Sequence, residues 1–197
     1  MTANHLIAFA AFAVAAAATP GPSNALLTAT GAQLGLVRGL PALAGASVGM
    51  ATLMFVVMLG LGSIILGTPL LLVVVKALGA AVLLWLAWRI ARAGPHQSAG
   101  GRALGFRAMT AFQWVNPKGW VVCASAAAAF IDPQAGSAIA QSATLASIFA
   151  LLTLPSFFPW LATGALLQRA LGSERIARRF NLAMGVLLAA SVFLLVL

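Results

Sequence analysis

Two short polar stretches interrupt an otherwise apolar chain, and both have the composition of a helix break. One is Asn116-Pro117-Lys118, inside the hydrophobic run from Phe106 to Ile131; the other is Thr19-Pro20-Gly21-Pro22-Ser23-Asn24, inside the first hydrophobic run. A proline within a helix removes one backbone hydrogen bond and clashes with the carbonyl four residues back. Asn116 directly before Pro117 is a good N-cap followed by proline at the first helical position, so a new half-helix is expected there, with the amides of Lys118, Gly119 and Trp120 unpaired. Gly21 or Thr19 can cap in the same way at the first break, which leaves amides near Ser23, Asn24 and Ala25 unpaired. Each half-helix start is a partial positive charge suited to a carboxylate, and Lys118 adds a full one. Upstream, Pro117 frees the carbonyl of Gln113, while Pro20 and Pro22 free those of Ala16 and Ala18. Donors for a carboxylate beside acceptors for an ammonium suit a zwitterionic amino acid. The expected binding residues are therefore Pro20, Gly21, Pro22, Ser23, Asn24, Asn116, Pro117 and Lys118.

The solvent in which such breaks operate follows from composition. Of 197 residues, 62% are hydrophobic and 7% charged, and the mean hydropathy is +1.06. That leaves too little polar surface to cover a water-soluble domain of this length, so the chain reads as an all-α integral membrane protein whose main partner is the lipid bilayer. A net charge of +9 would ordinarily raise nucleic-acid binding. Here the basic residues occupy short gaps between apolar runs rather than one face of a helix, which argues for no nucleic acid. Cys123 alone, with His5 and His96, supplies neither a disulfide framework nor a metal cluster, and no cofactor is expected.

The elements that must position the breaks are long apolar runs. The first extends from His5 to about Thr30, the second from Gly39 to Leu66, the third from Pro69 to Ile90, the fourth from Phe106 to Ile131, the fifth from Ser137 to Leu167 and the sixth from Phe180 to Leu197. A hydrocarbon core needs about 20 helical residues, so six spans are expected. Alanines after Ala13 resemble a signal-peptide cleavage site, yet the basic region that should precede them is missing. Gly67-Thr68-Pro69 reads as a tight turn, and Asp132-Pro133 as the end of the fourth run.

All the arginines fall in or beside alternate gaps. Arg38 follows the first run; Arg89, Arg92, Arg102 and Arg107 follow the third; Arg169, Arg175, Arg178 and Arg179 follow the fifth. The positive-inside rule makes these gaps cytoplasmic and puts both termini outside, with Trp85 and Trp88 in the aromatic belt. Residues 1–197 then form one polytopic domain, with a first repeat over about 1–90, a cytoplasmic linker over about 91–105 and a second repeat over about 106–197. Because each half holds an odd number of spans, the second is inverted relative to the first. Paired interrupted segments at corresponding positions of two inverted halves are a sequence pointer to a transport site.

Other residues carry a structural reading beside a functional one. Lys76 can snorkel to the outer surface or serve coupling; Asp132 can end a helix or lie in an outer cavity; Gln113, Gln33, Ser125, Thr153 and Ser156 can line a pathway or bond neighbouring helices. Proton-driven carriers usually bury an acid or a histidine in the membrane. The only acids here, Asp132 and Glu174, stand at loops, which leaves Lys118 or the substrate to carry the proton. Gly35, Gly39, Gly45 and Gly49 form small-xxx-small patterns that let helices pack closely, within one chain or between copies in a homo-oligomer.

The breaks, together with Gly35-Leu36-Val37-Arg38-Gly39-Leu40-Pro41, Lys76-Ala77-Leu78-Gly79-Ala80, Trp85-Leu86-Ala87-Trp88-Arg89 and Val115-Asn116-Pro117-Lys118-Gly119-Trp120, resemble the LysE/RhtB family of amino-acid exporters over nearly the whole chain. The resemblance implies export of amino acids or small derivatives across the cytoplasmic membrane, coupled to the proton-motive force; an enzyme would need a catalytic constellation that the sequence does not offer, so no enzymatic activity is expected. It carries Pro20, Gly21, Pro22 and Asn24 in one half, and Asn116, Pro117 and Lys118 in the other, over as motif residues. The chain departs from the family pattern in three places. Ser23 stands between Pro22 and Asn24, Ala42 follows Pro41 where histidine is common, and there is no tyrosine. Alternatives of a different class are a thiol-redox conduit, for which Cys123 has no partner cysteine, a structural membrane subunit, and metal-ion efflux, for which acidic or histidine clusters are missing.

Overall fold

A computed structural model describes residues 1–61, 67–92, 104–132, 134, 136–170 and 173–196. The regular elements among them are all helical: α1 (Ala3–Ala18), α2 (Pro22–Val56, continuing into a π-helical turn Val57–Leu61), α3 (Pro69–Ala91), α4 (Phe106–Val115), α5 (Pro117–Phe130), α6 (Ala138–Ala170) and α7 (Glu174–Val196). By length and composition, three stretches of described helix can cross a membrane: Pro22–Leu61, Pro69–Ala91 and Ala138–Gln168. The Ala3–Ala18 helix is equally apolar but shorter. Ile7, Leu70, Val121, Leu151 and Leu166 turn outward, each more than 60% exposed, as a hydrocarbon solvent favours. Gly94-Pro95, His96, Gly100-Gly101 and Arg102 of the expected linker, with Pro133 and Leu197, lie outside the described residues.

Where the sequence leads one to expect a gap after the first run, the chain stays helical. The gap around Arg38 contains a single non-helical residue, Gly35, with φ 76° and ψ 178°. Only glycine adopts that left-handed backbone without strain, and Pro41 further on lies inside the helix without interrupting it. Gly35 thus divides α2 into two arms. Gly31 in one arm lies against the backbone of Leu161 in α6 and Gly39 in the other against its side chain, so the bend folds around that residue. Gln168 completes it by donating from Nε2 to the Gln33 carbonyl at 3.3 Å.

Helix α2 is the hub. It packs most extensively on α6 and next on α4, while α3 pairs with α7. Both major crossings rest on glycines. A Cβ on Gly31 would stand 2.1 Å from the Leu161 carbonyl oxygen, and one on Gly164 would stand 2.0 Å from that of Thr28. On the other side, Gly45 and Gly49 admit the backbone of α4, and Thr110 Oγ1 donates to the Gly45 carbonyl at 3.1 Å. Such approach lets dispersion and short polar contacts hold helices together where lipid provides no hydrophobic drive. Phe9, Phe149, Leu53, Met54, Met109, Leu145 and Leu161 fill the core between them.

A Gly164→Ala substitution should lower stability by about 1–3 kcal/mol, the usual cost of overpacking. Gly67→Ala, where no atom lies within 4 Å of the new methyl group, should leave it unchanged. Thermal unfolding of both variants in one detergent checks the contrast.

Candidate functional site

The first break opens where α1 stops. Thr19 precedes Pro20 and is forced into an extended conformation, φ −60° and ψ 129°. Its amide and its hydroxyl both turn back onto the Ala15 carbonyl, at 3.0 and 2.6 Å. Gly21 is fully extended, and α2 restarts with Pro22 at its first position. The first turn of α2 therefore presents the amides of Ser23 and Asn24 without intrahelical acceptors.

The second break is shorter. Helix α4 ends at Val115, and α5 begins at Pro117. Asn116 lies between them, with φ −81° and ψ 111°. Its side-chain oxygen accepts from the Lys118 amide at 3.2 Å, which caps the new helix. On the upstream side, the Asn116 amide reaches the Gln113 carbonyl at 3.3 Å. Trp120 bends back across the break and donates its indole N–H to the Trp114 carbonyl at 2.8 Å.

Although the two breaks are separated by most of the first repeat and the linker, they touch. Asn116 Nδ2 donates to Ser23 Oγ at 2.9 Å and to Gln113 Oε1 at 3.3 Å, and Ser23 Oγ donates to Gln113 Oε1 at 2.8 Å. Gln113 is anchored in turn by Nε2 donating to the Met109 carbonyl at 3.2 Å. These three side chains are 0–5% exposed, so the triangle is a buried polar network whose members satisfy one another. Lys118 forms the second link. Its ammonium donates to the carbonyl oxygen of Thr19 and, at 3.5 Å, to that of Pro20. The stem passes so close to Gly21 that a Cβ there would stand 2.7 Å from Lys118 Cδ.

Asn24 takes a different role from Ser23. Its amide group donates to the carbonyls of Ala17 at 3.1 Å and Thr19 at 3.3 Å, back across the first break. The serine inserted after Pro22 faces the second break, while the asparagine one position on braces its own. The carbonyls that accept from Asn24 and Lys118 are those of Ala17, in the last turn of α1, and of Thr19 and Pro20 just beyond it.

Between the breaks lies a cavity of about 20 Å³, lined by Ala16, Ala17, Ser23, Asn24, Met50, Asn116, Lys118, Gly119, Val122, Phe149 and Phe157. That is room for about one water molecule and too little for a free amino acid in this conformation. Met50, Val122, Phe149 and Phe157 carry no sequence signal, since each is one apolar residue in an apolar run. Lys76 is exposed on α3. Asp132 is exposed beyond α5, where its carboxylate accepts from the Gln134 amide at 2.8 Å and its backbone pairs with the Gln141 side chain. Neither lines the cavity. Thr153 and Ser156 bond carbonyls of their own helix, and Ser125 is exposed.

Asn116→Ala should destabilise the fold by about 0.5–2 kcal/mol, because it removes a helix cap together with the contact to Ser23. Ser23→Ala should cost less, about 1 kcal/mol, because Asn116 Nδ2 keeps Gln113 Oε1 at 3.3 Å. Unfolding midpoints should therefore fall in the order wild type, Ser23→Ala, Asn116→Ala.

The family model for LysE type translocators matches residues 14–197. A cysteine/O-acetylserine efflux protein of Klebsiella pneumoniae is 34% identical over 173 residues, covering 86% of each chain. Proteins of the same name from Salmonella typhimurium and Escherichia coli K12 are each 29% identical over 95% of both chains. No solved structure matches the chain.

Proposed function

Because the chain belongs to the LysE type translocator family, we propose that it exports a small zwitterionic amino acid or amino-acid derivative across the cytoplasmic membrane, through a site made by its two helix breaks. The relatives named for cysteine and O-acetylserine efflux make those two compounds the first substrates to test. In this reading the chain crosses the membrane six times, as two inverted three-helix halves. The spans are α1 with the first arm of α2, the second arm of α2, α3, α4 with α5, α6, and α7. Both termini face outside.

The observation that carries the proposal is the pairing of the breaks, in which Lys118 bonds the Thr19 and Pro20 carbonyls while Asn116 bonds Ser23. Those carbonyls are acceptors of the kind a substrate ammonium needs, and in the closed state the lysine's own ammonium occupies them. A substrate entering the site displaces Lys118 from these acceptors. The freed lysine and the first-turn amides of α5 then receive the substrate carboxylate. The walls from Ala16, Ala17 and Met50 suit a short side chain.

The proton-motive force drives export in this scheme. Asp132 and Glu174 are both exposed and neither lines the cavity, so the proton is carried by Lys118 or by the amino group of the substrate. Cys123 is buried in α5 and is the only cysteine of the chain, which gives an electron relay no second thiol.

In cells loaded with single amino acids, Lys118→Ala and Asn116→Ala should reach the membrane at normal levels yet lose efflux by roughly tenfold or more, the equivalent of one charge-assisted hydrogen bond. Val121→Ala, on the outward face of α5, should export normally. Undiminished efflux by both site variants would remove the breaks as the route. In proteoliposomes, dissipating an imposed pH gradient should abolish concentrative transport by the wild type.

A further inference from the structure

A second cavity lies away from the breaks. It is a groove of about 930 Å³ between α3 and the start of α4, open to the outside of the molecule. Val82 and Trp85 of α3 and Ala108, Ala111 and Val115 of α4 line it over the buried Leu86 and Phe112, with Arg89 on α3 and Arg107 on α4. Both arginines are exposed. Arg89 stacks its guanidinium 4.8 Å from the centre of the Trp85 ring, which holds it at the mouth of the groove. Neither of the chain's two acids lines the groove, so nothing within it neutralises the pair.

We infer that this groove is a binding site for an anionic phospholipid of the cytoplasmic leaflet, its phosphate held between Arg89 and Arg107 and an acyl chain lying along Val82, Ala108, Ala111 and Val115. Guanidinium groups pair with phosphate through parallel hydrogen bonds. Basic pockets between membrane helices on the cytoplasmic side are suited to acidic headgroups, and a tryptophan at the rim fits the interface. Charge opposes a second copy of the chain here, because docking on the same face by two-fold symmetry would bring four arginines together.

The site has a structural connection to the second break. Val115 lines the groove and is the residue before Asn116; its carbonyl oxygen would stand 2.5 Å from a Cβ on Gly79 of α3. Lipid in the groove therefore supports the outer side of the short helix α4, whose inner side carries Gln113. This inference rests on the proposed orientation in the membrane and does not depend on the proposed substrate.

The test is phospholipid retention by the full chain, purified in mild detergent, washed, offered equimolar phosphatidylglycerol and phosphatidylcholine, and read by native mass spectrometry. The wild type should hold phosphatidylglycerol in preference to phosphatidylcholine. Arg89→Gln/Arg107→Gln should lose that preference by about tenfold or more, and Arg175→Gln/Arg178→Gln, in the separate basic cluster at the start of α7, should keep it. Unfolding midpoints without added lipid, expected to agree among the three proteins, show that the variants are folded. Equal retention of the two lipids by the wild type, unchanged retention in the Arg89/Arg107 variant, an equal loss in the Arg175/Arg178 variant, or dimers cross-linked through Trp85 and Phe106 would each overturn the assignment.

Discussion

A backbone that stops being helical inside a membrane exposes carbonyls and amides that lipid cannot satisfy, and each one left bare costs several kcal/mol. In this chain the exposed groups of each break are met largely from the other break or from side chains beside it. Lys118 and Asn24 serve the carbonyls beyond α1, Asn116 caps its own half-helix, and Trp120 serves Trp114. The first break is thus incomplete without the second half of the chain. This mutual dependence fixes the relative placement of α1, α2, α4 and α5 more firmly than apolar packing in a lipid solvent could.

Close helix crossings make the arrangement reachable. Gln113 and Ser23 meet only because α4 approaches α2 at Gly45 and Gly49, and α2 keeps its position because Gly31 and Gly164 let it sink against α6. Small residues therefore act at a distance from the site, by setting the spacing at which a serine hydroxyl can reach a glutamine carbonyl. The triangle of Ser23, Gln113 and Asn116 holds no formal charge. The cation of the site, Lys118, lies on the carbonyl side, so its electrostatics separate into a neutral network and a lysine bonded to backbone.

Much of this is legible in the sequence, because proline and asparagine have strong local consequences. Asn116-Pro117 names a helix start, and Thr19-Pro20 a helix stop, from covalent geometry alone. Long apolar runs name a membrane solvent with equal directness. What the sequence does not carry is whatever depends on approach between distant elements. Gly35 reads as one of several packing glycines, yet it alone turns α2, and its left-handed backbone has no signature beyond being glycine. Phe149 and Phe157 enter the cavity wall through the path of α6, which local pattern cannot place. Gln113 stands out as a polar residue in an apolar run, but its contact with Ser23 exists only in three dimensions. The basic groove is likewise invisible along the chain, because Arg89 and Arg107 belong to different helices.

The missing side chain at Gly21 ties the freedom of two distant positions together. A methyl group there would stand 2.7 Å from Lys118 Cδ, so the lysine stem has to shift to admit it, and the room open to residue 21 is set by where the long side chain of residue 118 lies.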